Sequence, residues 1–390
     1  MTGPVGIAVH TARSAKEVEA LRAVWSSLEA SVATADIDYH LMLVEQRPEA
    51  IRPHVLLLEG NGVPATLVVG RVEDVRLPAK LGYKTLWRPR VRALTVSYGG
   101  VLGHGDGGAA AAVLGEIQSA LRRGEADVAR LRKLEVGSPL HEAARSIPGR
   151  LARDRLTIPS PHWRASLEGT YDDYLARRSP KTRANLRRYG RKFEAAFPDG
   201  IELRSFREPA DLDRLLGDTR VVYEGTYHRA LGLGFSGSRV ERELTTLALA
   251  RGWFRGFVLY VNGKPCAFWH GIRYGRVFST GPTGYDPAFG THRIGTYVLG
   301  RMVEELSREE DLDWIDFGFG DAEYKQHFGD DSWLEEDVLV WAQRPRPIRL
   351  NATRTALLAA DRSARSLLRR GGLLTRVRRL WRDRARERGS

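Results

Sequence analysis

Cysteine is nearly absent from this sequence of 390 residues, since Cys266 is the only one. A single cysteine excludes an intrachain disulfide framework and any metal site that needs several cysteine ligands. Long apolar runs are also missing, because no stretch approaches the roughly 20 residues that cross a bilayer. The first residues, "MTGPVGIAVHTARSAKEVEA", lack a basic region followed by an apolar block, so we expect no secretory signal. These absences indicate a protein of the reducing cytoplasm.

Acidic residues are scarce near the carboxyl terminus. Residues 344–390 contain fifteen arginines and three acids, so they carry +12 of the formal net charge of +13, and residues 1–343 carry +1. With 42% hydrophobic and 28% charged residues, the chain is typical of a globular protein, and it is long enough for two domains. An anionic partner is therefore expected to meet the basic tail.

The basic tail alternates arginines with apolar residues at roughly helical spacing. This pattern predicts one or two basic amphipathic helices, interrupted at Gly371 and Gly372. Such a helix lies on an anionic membrane surface or packs against a partner. The competing interpretation is a solvated helix that covers a domain edge. RNA binding has less support, because Trp381 is the only tail aromatic that could stack on a base.

Two segments of the chain show helical and strand patterns in the same order. The first runs from the helical "SAKEVEALRAVWSSLEASV", through an alternating stretch with Asn61-Gly62 as its hairpin turn, to the helical "AAAAVLGEIQSALRRGEADVARLRKL". The second passes through strands with Asn262-Gly263 in the corresponding turn and reaches the helical "TYVLGRMVEELSREE". We interpret this order as one α/β unit present twice.

A basic helix is predicted between the two segments, within residues 166–200. Its cations are Lys181, Arg183, Arg187, Arg188, Arg191 and Lys192. These side chains either grip an anionic substrate or the phosphates of a cofactor, or they stay solvated on a linker helix.

The stretch "YDPAFGTHRIGTYVLGR", residues 285–301, passes from turn residues to the start of an apolar, helix-spaced run. One interpretation is that Thr291 or Thr296 caps a helix. The other is that bare N–H groups at the helix start, beside Arg293, hold a phosphate. The motif by itself favours the cap, because short glycine-containing matches often occur by chance.

Polar residues also follow a predicted strand in "LDWIDFGFGDAEYKQHFG". Asp316, Asp321, Tyr324 and Lys325 fall in one neighbourhood at the carboxyl end of this strand. Sites of α/β proteins commonly lie at such strand ends. The competing interpretation makes Asp316 a turn cap and leaves Lys325 solvated.

Other titratable residues give weaker signals. His270, in "FWHGIRYG", is a second candidate base, although a lone histidine among aromatics is more often structural. Tyr223, Glu224 and Tyr227 form a polar cluster at the end of a predicted helix. They either contact an acceptor or only pack and cap the helix.

The stretches "YLARRSPKTRANLRRYGRKFE", "VVYEGTYHRALGLGF", "YDPAFGTHRIGTYVLGRMVEEL" and "WIDFGFGDAEYKQHFG" together resemble the CelD/BioF-like acetyltransferase branch of the GNAT N-acyltransferase superfamily. The resemblance covers about residues 166–345 well and residues 1–160 more loosely. FemAB-type aminoacyltransferases share a double GNAT fold. The resemblance therefore implies an α/β fold with tandem GNAT-like domains at 1–160 and 161–345. Each is expected to be a mixed central sheet flanked by helices, and a basic helical tail follows at 346–390.

The resemblance also implies a site for acyl-CoA. GNAT enzymes hold the pyrophosphate at a helix start, usually through an Arg/Gln-x-x-Gly-x-Gly/Ala loop. Arg293, Gly295 and Thr296 stand in the matching place here, with only one of the two motif glycines. In a GNAT fold the preceding strand separates from its neighbour, and a backbone N–H near Thr280 or Gly281 donates to the thioester oxygen. No metal is implied.

The catalytic roles follow from the same resemblance. Asp316 is expected to accept a proton from the attacking amine or to orient it, and Tyr324 to return a proton to the departing thiolate. His270 is the second candidate base. Cys266 lies in a predicted hairpin strand and is expected to be apolar filler rather than a nucleophile. The expected substrate contacts are Tyr223, Glu224, Tyr227, Lys325, Lys181 and Arg183.

Three hypotheses of function remain open from the sequence. The first is a cytoplasmic N-acyltransferase, peripheral to the inner face of the membrane if the tail binds lipid. It would move an acyl group from acetyl-CoA or another acyl-CoA to an amine, such as an amino sugar or an envelope or polysaccharide precursor. The second is a FemAB-like aminoacyltransferase that uses charged tRNA, supported by the basic helix and tail. The third is a non-catalytic, degenerate GNAT binding protein, supported by the missing motif glycine.

Overall fold

The computed structural model describes residues 7–60, 63–81, 84–103, 105–226, 235 and 237–370. These residues form two compact units. The first unit contains the chain up to Pro159 together with the part from Glu335 onward, and the second unit is Ser160–Leu334. The predicted Asn61-Gly62 turn lies outside the described residues.

The first unit alternates strands with short helices. Its elements are β1 (Ile7–Ala12), α1 (Ala15–Glu19), α2 (Arg22–Ser27), α3 (Ile37–Gln46), β2 (Ala50–Pro53), β3 (Val55–Gly60), β4 (Val63–Arg76), β5 (Ala79–Leu81), β6 (Lys84–Trp87), β7 (Arg90–Gly103), α4 (Gly107–Arg122), β8 (Val128–Glu135) and α5 (Pro139–Ser146). The corresponding elements of the second unit are β9 (Ser160–Ser166), α6 (Tyr171–Ala176), α7 (Pro180–Ala196), β10 (Ile201–Phe206), α8 (Leu212–Glu224), α9 (Arg239–Ala250), β11 (Phe254–Val261), β12 (Lys264–Tyr274), β13 (Val277–Tyr285), α10 (Ile294–Leu306), β14 (Trp314–Phe319) and α11 (Glu323–Phe328). The chain ends its described part with β15 (Asp331–Trp341) and α12 (Pro345–Arg370).

The sheet of the first unit has the strand order β1-β3-β4-β7-β8-β15, and β2 pairs with β4. All of these pairs are antiparallel except β7 with β8, which run parallel along Ala93–Val96 and Val128–Leu131. Neighbouring residues of β3 point to opposite faces, so Leu56 packs under α4 and α5 while Leu57 packs under α1, α2 and α3. The unit is therefore a sheet between two layers of helices.

The boundary between the units differs from the predicted one at residues 335–345. Glu335–Trp341 of β15 pair with β8, so this part of the chain completes the first unit. The helix α12 follows and also packs on the first unit. Asn351 is only 4% exposed, and its Nδ2 donates to the carbonyls of Leu151 and Arg153 at 3.1 and 3.0 Å.

The start of the basic tail is thus a helix that covers an edge of the first unit. Arg354 Nη1 contacts Asp154 Oδ1 at 2.9 Å, and Asp361 is buried. The predicted break at Gly371-Gly372 and the rest of the tail lie outside the described residues. Within the described part of the chain, no helix combines the length and apolarity needed to cross a membrane.

The sheet of the second unit has the order β9-β14-β13-β12-β11-β10. Its strands are antiparallel except for β13 and β14. One face packs on α6, α7 and α10, with Phe193 and Val298 in that core, and the other face packs on α8 and α9, with Leu215 and Leu249. The strand β11, next to the edge strand β10, is buried along its whole length.

In both units a helix joins two parallel strands, α4 between β7 and β8 and α10 between β13 and β14. The predicted α/β fold with two tandem units is confirmed. The turn at Asn262-Gly263 is also confirmed, because both residues adopt positive φ (50° and 76°) between β11 and β12, as a tight hairpin turn requires.

Candidate functional site

The parallel strands β13 and β14 of the second unit pair only at their beginning. Val277, Phe278 and Ser279 pair with Trp314, Ile315 and Asp316, and the pairing then ends although both strands continue. A gap therefore opens between the strands beyond Ser279. Thr280 and Gly281, the predicted thioester contacts, are the first residues of β13 along this gap.

The other edge of β13 is irregular at the same level. Thr280 pairs with Gly271 and Thr283 with Trp269, so Gly281 and Pro282 together oppose the single residue His270 of β12. Such a bulge bends the strand locally and redirects its peptide groups. The bulge and the gap coincide, which frees peptide groups of β13 for a ligand.

The helix α10 begins without a side-chain cap. Arg293 occupies the N-cap position in the left-handed region (φ 56°, ψ 37°), and no side chain bonds to the first-turn N–H groups. The capping by Thr291 or Thr296 that the motif alone favours is therefore wrong. The Thr296 N–H already donates to the Arg293 carbonyl at 2.9 Å, so the first-turn donors that can face a ligand are those before it.

Gly295 is positioned where a side chain would be crowded. A Cβ at this residue would lie 3.3 and 3.5 Å from two ring atoms of Tyr285, which ends β13. The glycine therefore lets the helix start lie against the end of the strand, with its first N–H groups uncovered. An uncovered helix start is an anion site in physical terms, since the partial positive charge there adds to the charge of Arg293.

The equivalent helix of the first unit starts differently. Asp106 caps α4, and its Oδ1 accepts a hydrogen bond from the Ala109 N–H at 2.7 Å. A carboxylate thus occupies the position that a phosphate would take, and its charge repels an anion. The geometry supports an anion site at the start of α10 and opposes one at the start of α4.

The predicted basic helix is confirmed as α7, and it lies beside the start of α10. Phe193 packs on Tyr297 with ring centroids 4.8 Å apart, and the Tyr297 hydroxyl donates to Glu194 at 3.0 Å. The Arg293 guanidinium lies 5.9 Å from the Tyr189 ring centroid. This packing places an arginine-rich helix next to the candidate phosphate position.

The two predicted substrate contacts on α7 have different environments. Lys181 is exposed. Arg183 instead donates through Nη1 to the carbonyls of Ala176 and Arg178 at 3.0 and 2.8 Å, where it caps the end of α6. Its hydrogen bonds are structural in this arrangement.

Asp316 lies at the point where β13 and β14 separate. It is 8% exposed, and its Oδ1 contacts His162 Nε2 at 2.5 Å and accepts the Gly318 N–H at 2.6 Å. Ser279 Oγ lies 3.5 Å from Oδ2. An ionised carboxylate can only accept, so His162 donates to it through Nε2.

His162 is a member of this cluster that the sequence analysis missed. It lies on β9, is 1% exposed, and stacks on Trp333 with ring centroids 4.4 Å apart. Because it is buried and contacts Asp316, it is positioned to orient the carboxylate. The only signal in the sequence was a histidine at the start of a strand far from Asp316, and only sheet pairing brings the two together.

Tyr324 is on α11, beside the carboxyl end of β14. Its ring makes edge contacts with Trp269 at 5.7 Å and Phe317 at 6.3 Å, and burial raises the pKa of its hydroxyl to about 12. The phenol is therefore protonated at neutral pH and can serve as a proton donor.

Lys325 differs from both interpretations offered for it. It is 7% exposed, and its Nζ donates to the carbonyls of Gly318 and Phe319 at 3.0 and 2.9 Å. These bonds stabilise the glycine turn after β14. The lysine is neither solvated nor directed at a ligand, and it holds the turn that positions Tyr324.

His270 points to the opposite face of β12 from Trp269 and Tyr324. It is enclosed by aromatic rings, including Phe254 and Phe268, and its Nε2 lies 3.0 Å from Thr219 Oγ1. Burial lowers its pKa to about 3, so the ring stays neutral and accepts no proton near neutral pH. The environment gives His270 a structural role and leaves Asp316 as the candidate base.

The predicted acceptor cluster is only partly described. Tyr223 packs against Phe235 with ring centroids 5.9 Å apart, and Glu224 is exposed at the end of α8. Tyr227 lies outside the described residues.

Cys266 is fully buried, donates to the Leu259 carbonyl, and has its pKa raised to about 12 by burial, which agrees with apolar filler.

No group of three or more His, Cys, Asp or Glu side chains in the described part of the chain could hold a metal ion. The candidate site consists of a helix start, a strand gap, a buried carboxylate with its histidine, and a protonated tyrosine.

Comparison with known proteins shows that part of the chain is similar to a known domain family. Residues 180–326 match the family model described as an acetyltransferase (GNAT) domain, a segment that runs from α7 to α11 and contains most of the candidate site. No curated protein sequence matches the chain.

Solved structures share the fold at low identity. FemX is 9% identical with a TM-score of 0.53, covering 81% of this chain and 95% of that chain. The C-terminal domain (DUF2156) of a protein from Agrobacterium fabrum, named as a lysylphosphatidylglycerol synthetase, is 11% identical with a TM-score of 0.52 and covers 88% and 98%. A conserved protein of unknown function from Bacteroides thetaiotaomicron VPI-5482 is 15% identical with a TM-score of 0.52 and covers 83% and 97%.

Residues 180–326 are thus similar to a GNAT acetyltransferase domain, and the fold of the chain is similar to that of FemX.

Proposed function

We propose that the second unit transfers an acyl group from acyl-CoA to an amine acceptor. The observation that carries the proposal is the uncapped start of α10, which bears Arg293 and follows a strand that separates from its neighbour. The N–H groups of Ile294 and Gly295 and the Arg293 guanidinium would hold the pyrophosphate, because each offers positive charge to an anion. The acidic cap of α4 supports the assignment to the second unit.

The chemistry would take place at the gap between β13 and β14. Peptide N–H groups near Thr280 and Gly281 are the candidate donors to the thioester oxygen, since the bulge releases this part of β13 from regular pairing. Asp316 would take the proton of the attacking amine, and His162 would keep its carboxylate oriented. Tyr324 would give a proton to the departing sulfur.

The positions of the two proton-transfer groups support this division of roles. Ile315 and Phe317 point to the face covered by α10, so Asp316, between them, points to the other face of β14. Tyr324 packs on Phe317 and Trp269, on the face of α10. The candidate base and acid thus approach the gap from opposite faces of the sheet, so the entering amine and the leaving thiolate would each have a separate proton-transfer partner.

The acceptor is the less defined substrate. We assign it to amines, with amino sugars or envelope and polysaccharide precursors as the class to test first, on the analogy of fold alone. A tRNA-linked donor is the alternative, and the exposed cations of α7 favour it: Lys181, Arg187, Arg188, Arg191 and Lys192.

Calorimetric titration of the full chain with acetyl-CoA tests the proposed donor. We expect a single site, with loss of affinity as salt increases because phosphates are bound. A parallel titration with aminoacylated tRNA tests the alternative, for which the dependence on salt should be much steeper. Binding of tRNA without binding of acetyl-CoA would contradict the proposal, and binding of neither would support a non-catalytic protein.

Asp316→Asn should lower kcat by about 100-fold, because it removes the proton acceptor while keeping the size of the side chain. The matched control is Asp321→Asn, since Asp321 is exposed on the same turn and only bonds the Gln326 amide. Thermal melts of both variants separate loss of chemistry from loss of folding. Turnover equal to that of the unchanged chain would leave Glu224 as the next candidate base.

Two truncations test the tail. Deleting residues 371–390 removes seven arginines and two acids, a net charge of +5, and should abolish binding to anionic vesicles, to which each basic residue contributes about 1 kcal/mol. The melting temperature and the affinity for acyl-CoA should not change. Deleting residues 350–390 should in addition lower the melting temperature, because it removes the contacts of Asn351 and Arg354 with the first unit.

The measurement is co-sedimentation with phosphatidylglycerol vesicles at low and high salt, beside a thermal melt of each truncation. A full chain that does not sediment with these vesicles at low salt would end the membrane hypothesis.

A further inference from the structure

A cleft of about 510 Å³ in the first unit is lined mainly by charged residues, five of them arginines, and lies outside the proposed acyl-transfer site. We call it the arginine cleft. Its charged lining residues are Arg47, Arg76, Arg90, Arg130 and Arg132 together with Glu49, Glu73 and Asp74. Five cations against three anions leave the lining with a formal charge of +2. A concave surface with excess positive charge concentrates anions.

Part of the sheet face beside this cleft is polar where apolar residues are expected. Arg71 of β4, Thr95 of β7 and Arg130 of β8 are paired side by side across the sheet. Glu73 accepts from Arg71 Nε at 2.7 Å and from Thr95 Oγ1 at 2.7 Å, and all three of these side chains are buried. A satisfied, buried polar network is rigid, so the residues above it are held in place.

Arg132 carries unused hydrogen-bonding capacity in this cleft. Its Nε is buried and has no hydrogen-bond acceptor among the described residues, and the nearest carboxylate oxygen, on Asp337, is 3.5 Å away. Arg130 takes the better contact with the same carboxylate, at 2.9 Å. Burial, and then the charge of Arg130, hold the pKa of Arg132 below its usual value. A bound anion would satisfy this guanidinium.

A second cleft, of about 400 Å³, shares Asp74 and Arg90 with the arginine cleft. Arg92, Arg344 and Arg346 line it as well. The cationic surface therefore continues beyond the first cleft, which gives room for a ligand with more than one anionic group.

We propose that the arginine cleft binds a phosphoester with at least two negative charges. Guanidinium forks match phosphate oxygens in pairs, and several arginines around one concavity favour a polyanion over a single carboxylate. The phosphoester comes either from a soluble phosphorylated metabolite or from a lipid headgroup, and the two sources share the chemistry of recognition. The site is independent of the proposed acyl transfer, which takes place in the second unit.

The test is calorimetric titration of the full chain with inorganic pyrophosphate. Arg132→Gln should weaken binding at least tenfold, because a charge-assisted contact is lost. Arg76→Ala should also weaken it, and since Arg76 is exposed, this variant is expected to fold even if Arg132→Gln does not. The matched control is Arg150→Ala, which removes the same charge from an exposed position of the first unit outside the cleft.

Arg293→Gly separates this site from the acyl-donor site. Pyrophosphate binding that persists in Arg293→Gly and falls in Arg132→Gln and Arg76→Ala supports the arginine cleft. Unchanged binding in Arg76→Ala and Arg132→Gln, or binding that is lost only in Arg293→Gly, overturns it. Vesicles containing phosphatidic acid identify the source of the phosphoester. If vesicle binding falls in Arg132→Gln and Arg76→Ala, the ligand is a lipid headgroup. If only pyrophosphate binding falls in these variants, the ligand is a soluble phosphoester.

Discussion

Tyr324→Phe should lower kcat by about 100-fold and leave the dissociation constant for acyl-CoA nearly unchanged. The substitution removes only the hydroxyl, which burial keeps protonated with its pKa raised to about 12. The ring contacts with Trp269 and Phe317 are retained, so the free energy of unfolding should hardly change. Loss of rate without loss of binding is the signature of a group that acts only in the transition state, as a proton donor to the leaving thiolate would.

Tyr171→Phe is the matched control for this measurement. Tyr171 lies on α6 of the same unit, and burial raises its pKa to about 12 as well. Thiol release followed at saturating substrates should therefore fall in Tyr324→Phe and stay constant in Tyr171→Phe. Equal rates for the two variants would place the proton donor on another residue.

Arg293→Gly should weaken acyl-CoA binding at least tenfold without lowering the melting temperature. The lost guanidinium accounts for the affinity, since a charge-assisted bond to phosphate contributes about 1.5–3 kcal/mol. The backbone of Arg293 is already left-handed, a conformation that glycine adopts without steric cost. Stability should consequently stay constant or rise, which excludes unfolding as the cause of weaker binding.

Two further variants sharpen this prediction. Arg301→Ala removes an exposed arginine farther along the same helix and should bind acyl-CoA normally. Gly295→Val should weaken binding like Arg293→Gly, because its side chain would meet the Tyr285 ring and displace the helix start. If calorimetry gives the same dissociation constant for Arg293→Gly as for the unchanged chain, the pyrophosphate does not lie at α10.

The two units show how a duplicated fold can keep its architecture and change its sites. Each retains a helix between two parallel strands, but α4 begins at an acidic cap and α10 at an arginine without a cap. An exchange of one or two polar residues at a helix start reverses the sign of the local charge and leaves the hydrophobic cores intact. Although both units contain the equivalent helix, only the start of α10 is therefore suited to an anion.

Part of the candidate site was predicted through the resemblance of short stretches to GNAT enzymes. Arg293, Gly295 and Tyr324 belong to short stretches in which spacing and turn residues already define a strand, a turn and a helix. The structural roles of Lys325 and Arg183 could not be predicted from local sequence. Both side chains donate to backbone carbonyls whose positions depend on the folded chain. The role of His270 could not be predicted either, since its pKa is lowered by burial among aromatic rings, one of which, Phe254, lies on another strand.

The sequence by itself determined the α/β class, the repeated order of elements and the basic tail. These properties depend on periodicity, turn chemistry and composition, which act over a few residues. Only the tertiary structure decided that His162 meets Asp316, that β13 and β14 separate at that residue, and that β15 returns to the first unit. Pairing between strands that are distant in the chain brings these groups together, and no local pattern of residues encodes that register.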